Sequence, residues 1–153
     1  MKAVAIVDTS IFCNVLDIPH MNDQRNQVMQ EFAKFIQEDT SFLLPMAVIY
    51  ETGNHIAQLK QGGNRRRFAE LFTEEVRKAI HGEAPWQVMQ LPNIDEVGEW
   101  LSNFPDQAME GKGIADLSII KEWEKMVRKT PRCRIFIWSL DRHLKGYDHS
   151  PGV

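Results

Sequence analysis

The sequence predicts an α/β fold: a three-layer α/β/α sandwich built on a mainly parallel sheet of about four to five strands. Three observations lead there. Short apolar runs rich in β-branched residues alternate with longer segments of helical periodicity; two of those runs end abruptly in an aspartate; and no repeat, low-complexity tract or linker interrupts the order. With 153 residues, 43% hydrophobic and 25% charged, the chain has the size and composition of one globular domain spanning 1–153.

Ala3 to Val7 reads as a strand covered on both faces, ending at Asp8. Thr9 and Ser10 are placed to cap a short helix through Asp17, which Pro19 terminates by removing a backbone donor. Val28, Phe32, Phe35 and Ile36 recur on one face of a helix over about 23–38. Ser41 to Leu44 is the next strand, and Pro45 opens a helix running to about Lys60, on which Glu51 and His55 lie one turn apart.

Gly62, Gly63 and Asn64 read as a turn, followed by an amphipathic helix marked by Phe68, Leu71, Phe72, Val76 and Ile80. Trp86 to Leu91 is a third strand. Asn93 and Glu96 then form a capping box for a helix that Pro105 is expected to end. A long helix follows Gly111 and Gly113 through about Lys129, and Arg134 to Leu140 forms a fourth strand ending at Asp141.

Charge is unevenly distributed. Residues 121 to 145 carry eight basic side chains against Glu122, Glu124 and Asp141, a local +5, while the whole chain is −3 and the remainder therefore −8. A basic C-terminal third can follow a phosphate backbone, and a solvated helix face explains many of its lysines equally well. Cys13 and Cys133, far apart and without CxxC spacing, indicate neither a disulfide framework nor a zinc site. The first apolar run is too short for a signal peptide or a membrane span, so a cytoplasmic, reducing location and no membrane partner are expected.

In a parallel sheet the ligand site lies beyond the carboxyl ends of the strands, where Asp8 and Asp141 both project. Asp116, near the start of a helix, and Glu51, within one, can reach the same edge. Four carboxylates in one cleft repel one another, and such a set usually persists around hard cations, Mg²⁺ or Mn²⁺. Such ions can supply a nucleophile and neutralise charge on a phosphate, the chemistry of phosphodiester hydrolysis.

Val7-Asp8-Thr9-Ser10, Tyr50-Glu51-Thr52, Gly113-Ile114-Ala115-Asp116 and Ser139-Leu140-Asp141, in that order and each at an element boundary, together resemble the PIN-domain family along nearly the whole chain. The resemblance implies a Mg²⁺- or Mn²⁺-dependent endoribonuclease, commonly the toxin of a VapC-like toxin–antitoxin pair, with RNA as substrate. A small antitoxin and a second copy of the chain would be its protein partners. It implies Asp8, Glu51, Asp116 and Asp141 as metal ligands and catalytic acids, with Thr9 or Ser10 orienting the first acid and Ser139 supporting Asp141. Arg65, Arg66, Arg67 and Arg142 are the weaker candidates for substrate phosphates; Arg65 to Arg67 open a helix, where positive charge opposes the dipole. Ser139 stands where threonine is commoner in the family, and Leu144 where an aromatic is frequent.

Other readings are weaker. Gly111-Lys112-Gly113 lacks the flanking residues of a phosphate loop. His55, His143 and His149 have no zinc spacing. An aspartyl phosphatase would need a second acid where Ser10 stands. From a different class, a non-catalytic PIN-fold module binding RNA or protein is the alternative, and it gives no reason to keep four acids together. The four tryptophans read mostly as core.

Overall fold

The computed structural model describes residues 2–83 and 85–152. The chain begins in the middle of its sheet: β1 (Ala3–Val7) pairs in parallel with β2 (Ser41–Leu44) on one side and β4 (Arg134–Trp138) on the other. Ala5, Ile6 and Val7 are fully buried as a result. Beyond β2 lies β3 (Trp86–Val88), also parallel, and beyond β4 lies a two-residue antiparallel strand, β5 (Asp148–His149), giving the order β3-β2-β1-β4-β5.

Six helices among the described residues complete an α/β architecture, with a layering compatible with the expected three-layer sandwich: α1 (Thr9–Val15), α2 (Arg25–Gln37), α3 (Met46–Ala57), α4 (Gly62–Ile80), α5 (Ile94–Met109) and α6 (Ile114–Lys129). Phe32 and Phe35 of α2 pack on Phe42, Phe136 and Trp138 on one face of the sheet. On the other face Trp123 of α6 donates to the Ile135 carbonyl at 2.8 Å. The strand aromatics Phe42, Trp86, Phe136 and Trp138 all pack on the α2 face, because alternate strand residues share one side of the sheet.

Several boundaries differ from the sequence reading. Asp8, rather than Thr9 or Ser10, is the N-cap of α1, accepting from the Ser10 amide; the helix stops at Val15, and Asp17 turns the chain at φ 60°. Gly62, Gly63 and Asn64 form the first turn of α4 instead of a separate turn, with Gln61 as N-cap. Pro105 lies inside α5. The carbonyl deprived of its donor belongs to Leu101, an exposed residue on a helix with no buried side chain, so the lost bond is open to solvent there.

β3 stops at Val88 because its only partner among the described residues, β2, stops at Leu44; Met89 makes a last bond to the Leu44 carbonyl at 2.9 Å. Likewise β4 ends at Trp138, and Ser139 and Leu140 leave the sheet. No apolar run marks β5 in the sequence; Asp148 is fixed there by a two-pronged ion pair with Arg134. No helix among the described residues is long and apolar enough to cross a membrane.

Candidate active site

Strand order reverses at β1, since β2 and β3 extend from one side of it and β4 and β5 from the other. The carboxyl ends of β1 and β4 therefore flank a topological switch point, where α/β sheets place their ligands. Asp8 and Ser139 stand at those ends. The Asp8 amide bonds the Trp138 carbonyl at 3.0 Å, locking the two strand ends together.

Asp8 is 5% exposed and accepts through Oδ2 from three donors: Ser10 Oγ at 2.8 Å, Ser139 Oγ at 2.7 Å and the Ser10 amide at 3.4 Å. Ser10 Oγ in turn receives the Leu140 amide at 3.0 Å, and Ser139 Oγ receives the Asp141 amide at 2.9 Å. Both hydroxyls thus brace the β4 exit loop against the first acid, and Ser139 touches Asp8 as well as supporting Asp141. Asp141 Oδ1 accepts from the His143 amide at 2.8 Å, the local turn that an aspartate at this position favours.

Glu51 reaches the site from the middle of α3, and Thr9 donates to its Oε1 at 3.4 Å. Burial pushes its carboxyl above the ordinary range, and the charges of Asp8, Asp116 and Asp141 push further. Asp116 stands in the first turn of α6. Its carboxyl is pushed up to about 6 by burial first and then by Asp141 and Asp8, with His143 and Lys112 opposing. The four acids therefore lie within one another's electrostatic reach, drawn from β1, α3, α6 and the loop after β4. Lys112 is the cation that the sequence reading did not connect to the acids; its only signal was its place four residues before Asp116.

Among the described residues no three histidine, cysteine, aspartate or glutamate side chains form a closed coordination group. The donor chemistry is nonetheless of the kind hard divalent cations take, all oxygen, and each acid keeps at least one oxygen that no described hydrogen bond or ion pair occupies. These are Asp8 Oδ1, Glu51 Oε2, Asp141 Oδ2 and both oxygens of Asp116. Cys13, buried, has its thiol pushed up to about 12 by desolvation first, with Asp8 and Glu51 adding to it, so it is protonated near neutral pH.

The remaining candidates separate. Arg65 turns back to donate to the Leu59 and Lys60 carbonyls at 2.6 and 3.1 Å, closing the end of the α3–α4 connection. Arg66 pairs with Glu70 at 3.0 Å, and the Arg67 guanidinium lies 5.3 Å from the Phe68 ring centre. These local contacts account for the basic start of α4. Arg142, next to Asp141, is exposed and has no ion pair among the described residues. His149 bonds the Pro131 carbonyl at 2.9 Å, away from the acids.

Of the tryptophans, Trp86 and Trp138 are buried and Trp123 is partly so. Trp100 instead lines a surface cavity. No protein-family model matches the chain, and no curated protein matches it.

Proposed function

We propose that this chain is a divalent-metal-dependent endoribonuclease of the PIN type, hydrolysing single-stranded RNA. The observation that carries the reading is the meeting of Asp8, Glu51, Asp116 and Asp141 at the switch point, each with an oxygen left open. A non-catalytic scaffold has no use for burying and crowding these acids, which raises Glu51 and Asp116, by burial first and then by repulsion, at a cost in folding energy.

The four acids would hold Mg²⁺ or Mn²⁺, which when bound lowers the pKa of water and neutralises charge on a phosphodiester. Ser10 and Ser139 hold Asp8 through Oδ2, leaving Oδ1 free of described hydrogen bonds. Thr9 does the same for Glu51. Lys112 and Arg142 supply positive charge near the acids, suited to the phosphates flanking the cut.

The test is incubation of single-stranded RNA with the purified chain and Mn²⁺, followed by end analysis. The expected products carry a 5′ phosphate and a 3′ hydroxyl, and excess chelator stops the reaction. A 2′,3′-cyclic phosphate or full activity in chelator overturns the mechanism. Action as the toxin of a toxin–antitoxin pair, with a small antitoxin and a second copy as partners, is the finer form of this proposal. It requires that expression of the chain alone arrest growth and degrade RNA.

A further inference from the structure

α5 carries more apolar surface than the fold covers. At 3.6 residues per turn its apolar residues take up about half of the helix circumference, and only one edge of that half, Val97, Trp100 and Phe104, is half-buried. The rest, Ile94, Gly98, Leu101, Pro105, Ala108 and Met109, forms a stripe along the whole helix that faces solvent. Ile94 is 82% exposed, Leu101 54% and Met109 88%. Single exposed apolar residues are ordinary; a continuous stripe is not, and such a surface marks a place where another molecule docks.

The charge beside the stripe decides what it fits. From 85 to 111 the chain holds five acidic residues and no lysine, arginine or histidine. Four of the acids, Asp95, Glu99, Asp106 and Glu110, border the stripe on the side away from Trp100. Glu96, on the opposite side of the helix, is taken up by Lys125 of α6 at 2.8 Å, and Glu110 lies 3.7 Å from Lys112. Asp95, Glu99 and Asp106 have no ion pair among the described residues. An apolar surface edged with acids repels nucleic acid and the anionic surface of a membrane. A second copy laid antiparallel on the same stripe would bring the two acidic edges side by side. The complementary shape and charge belong to an amphipathic helix with apolar side chains at i, i+3, i+4 and i+7 and lysine or arginine on its flank.

We propose that the outer stripe of α5 is the docking surface for a basic amphipathic helix of a partner protein. The stripe runs the 16 residues of α5, about 24 Å at 1.5 Å per residue, enough to lie along several turns of a partner helix. Leu101 stands near its middle. One turn before it, a side chain at Gly98 would meet no other atom within 4 Å, so the surface dips there and leaves room for a larger side chain from the partner. A helix covering the stripe sets its basic flank against Asp95, Glu99 and Asp106, the acids without a partner of their own. None of the four catalytic acids belongs to this surface, so the inference goes beyond the nuclease reading and stands independently of it.

A synthetic amphipathic helix of leucine and lysine and its counterpart of leucine and glutamate, each titrated into the full chain and followed through backbone amide resonances, test the proposal. The lysine peptide is expected to move the resonances of Ile94, Leu101 and Met109 and to bind at least about tenfold tighter than the glutamate peptide. Leu101→Ser, at an exposed position and therefore safe for folding, should weaken it by about tenfold. Asp95→Lys, Glu99→Lys and Asp106→Lys together should reverse the preference between the two peptides, which an indiscriminately adhesive apolar surface would not do. Equal binding of the two peptides, resonance changes that are largest away from α5, or affinity unchanged in Leu101→Ser overturns the proposal. A parent chain that sediments as a dimer which Leu101→Ser dissolves assigns the stripe to a second copy, and binding to phosphatidylglycerol vesicles that Leu101→Ser abolishes assigns it to a lipid surface; either result overturns the basic helix.

Discussion

The Ser139 hydroxyl donates to Asp8 Oδ2 at 2.7 Å, joining residues 131 positions apart across the ends of β4 and β1. One oxygen atom thereby ties the first acid to the last, since Ser139 Oγ also receives the Asp141 amide.

Ser139→Ala removes both bonds. Asp8 keeps Ser10 as a donor, and the loss in stability should be about 1.5–3 kcal/mol, the range for a hydrogen bond to a charged group. RNA cleavage should fall by on the order of tenfold as Asp8 and Asp141 lose their shared brace. Ser139→Thr should restore both properties. Thermal denaturation and single-turnover cleavage of the two variants check this; an unaffected Ser139→Ala would show that Ser10 alone positions Asp8.

Asp116 makes stability depend on pH. Its carboxyl ordinarily titrates near 3.8 and in the fold is pushed up to about 6, so between those values the folded chain binds more protons than the unfolded one. Stability therefore falls as pH rises from about 4 to about 6 and is level above, the sign of a raised acid. Asp116 is half-buried, and solvent screening reduces the full effect to on the order of 1 kcal/mol. Asp116→Asn should abolish cleavage, flatten that decline, and raise the melting temperature at pH 7 in chelator. Added Mn²⁺ should stabilise the parent by mass action and the variant much less. A variant that melts lower than the parent in chelator and responds equally to Mn²⁺ would make Asp116 a structural residue.

Asn14 holds α1 against the start of α2. Its buried amide donates to the Ser10 carbonyl at 2.7 Å and accepts from the Gln24 amide at 3.1 Å, while Arg25 donates to its backbone carbonyl at 2.7 Å. Asn14→Ala leaves the Gln24 amide unpaired, while the Ser10 carbonyl keeps its helical bond, and should cost about 1–3 kcal/mol. Since Ser10 braces Asp8, its activity should decline with its stability, and calorimetry alongside cleavage at low temperature separates the two. A loss under about 0.5 kcal/mol would place the Gln24 and Ser10 groups in contact with water instead.

The sequence by itself determined the helices and strands whose apolar periodicity is unbroken. β2 and the body of α6 fall where the pattern puts them, because each must turn one apolar side inward whatever its neighbours are. It also placed Asp8 at the end of β1, since an apolar run stops where a charge begins; Asp141, expected at the end of the fourth strand, lies three residues past Trp138. Tertiary structure decided the rest. The length of β3 depends on where β2 ends, and Pro105 is tolerated in α5 because that helix face meets solvent. β5 needs the Arg134 guanidinium to hold Asp148. The approach of Glu51 to Asp8 and the double duty of Ser139 are contacts between segments tens of residues apart. No local pattern encodes them, because the free energy that sets them comes from burying several elements at once.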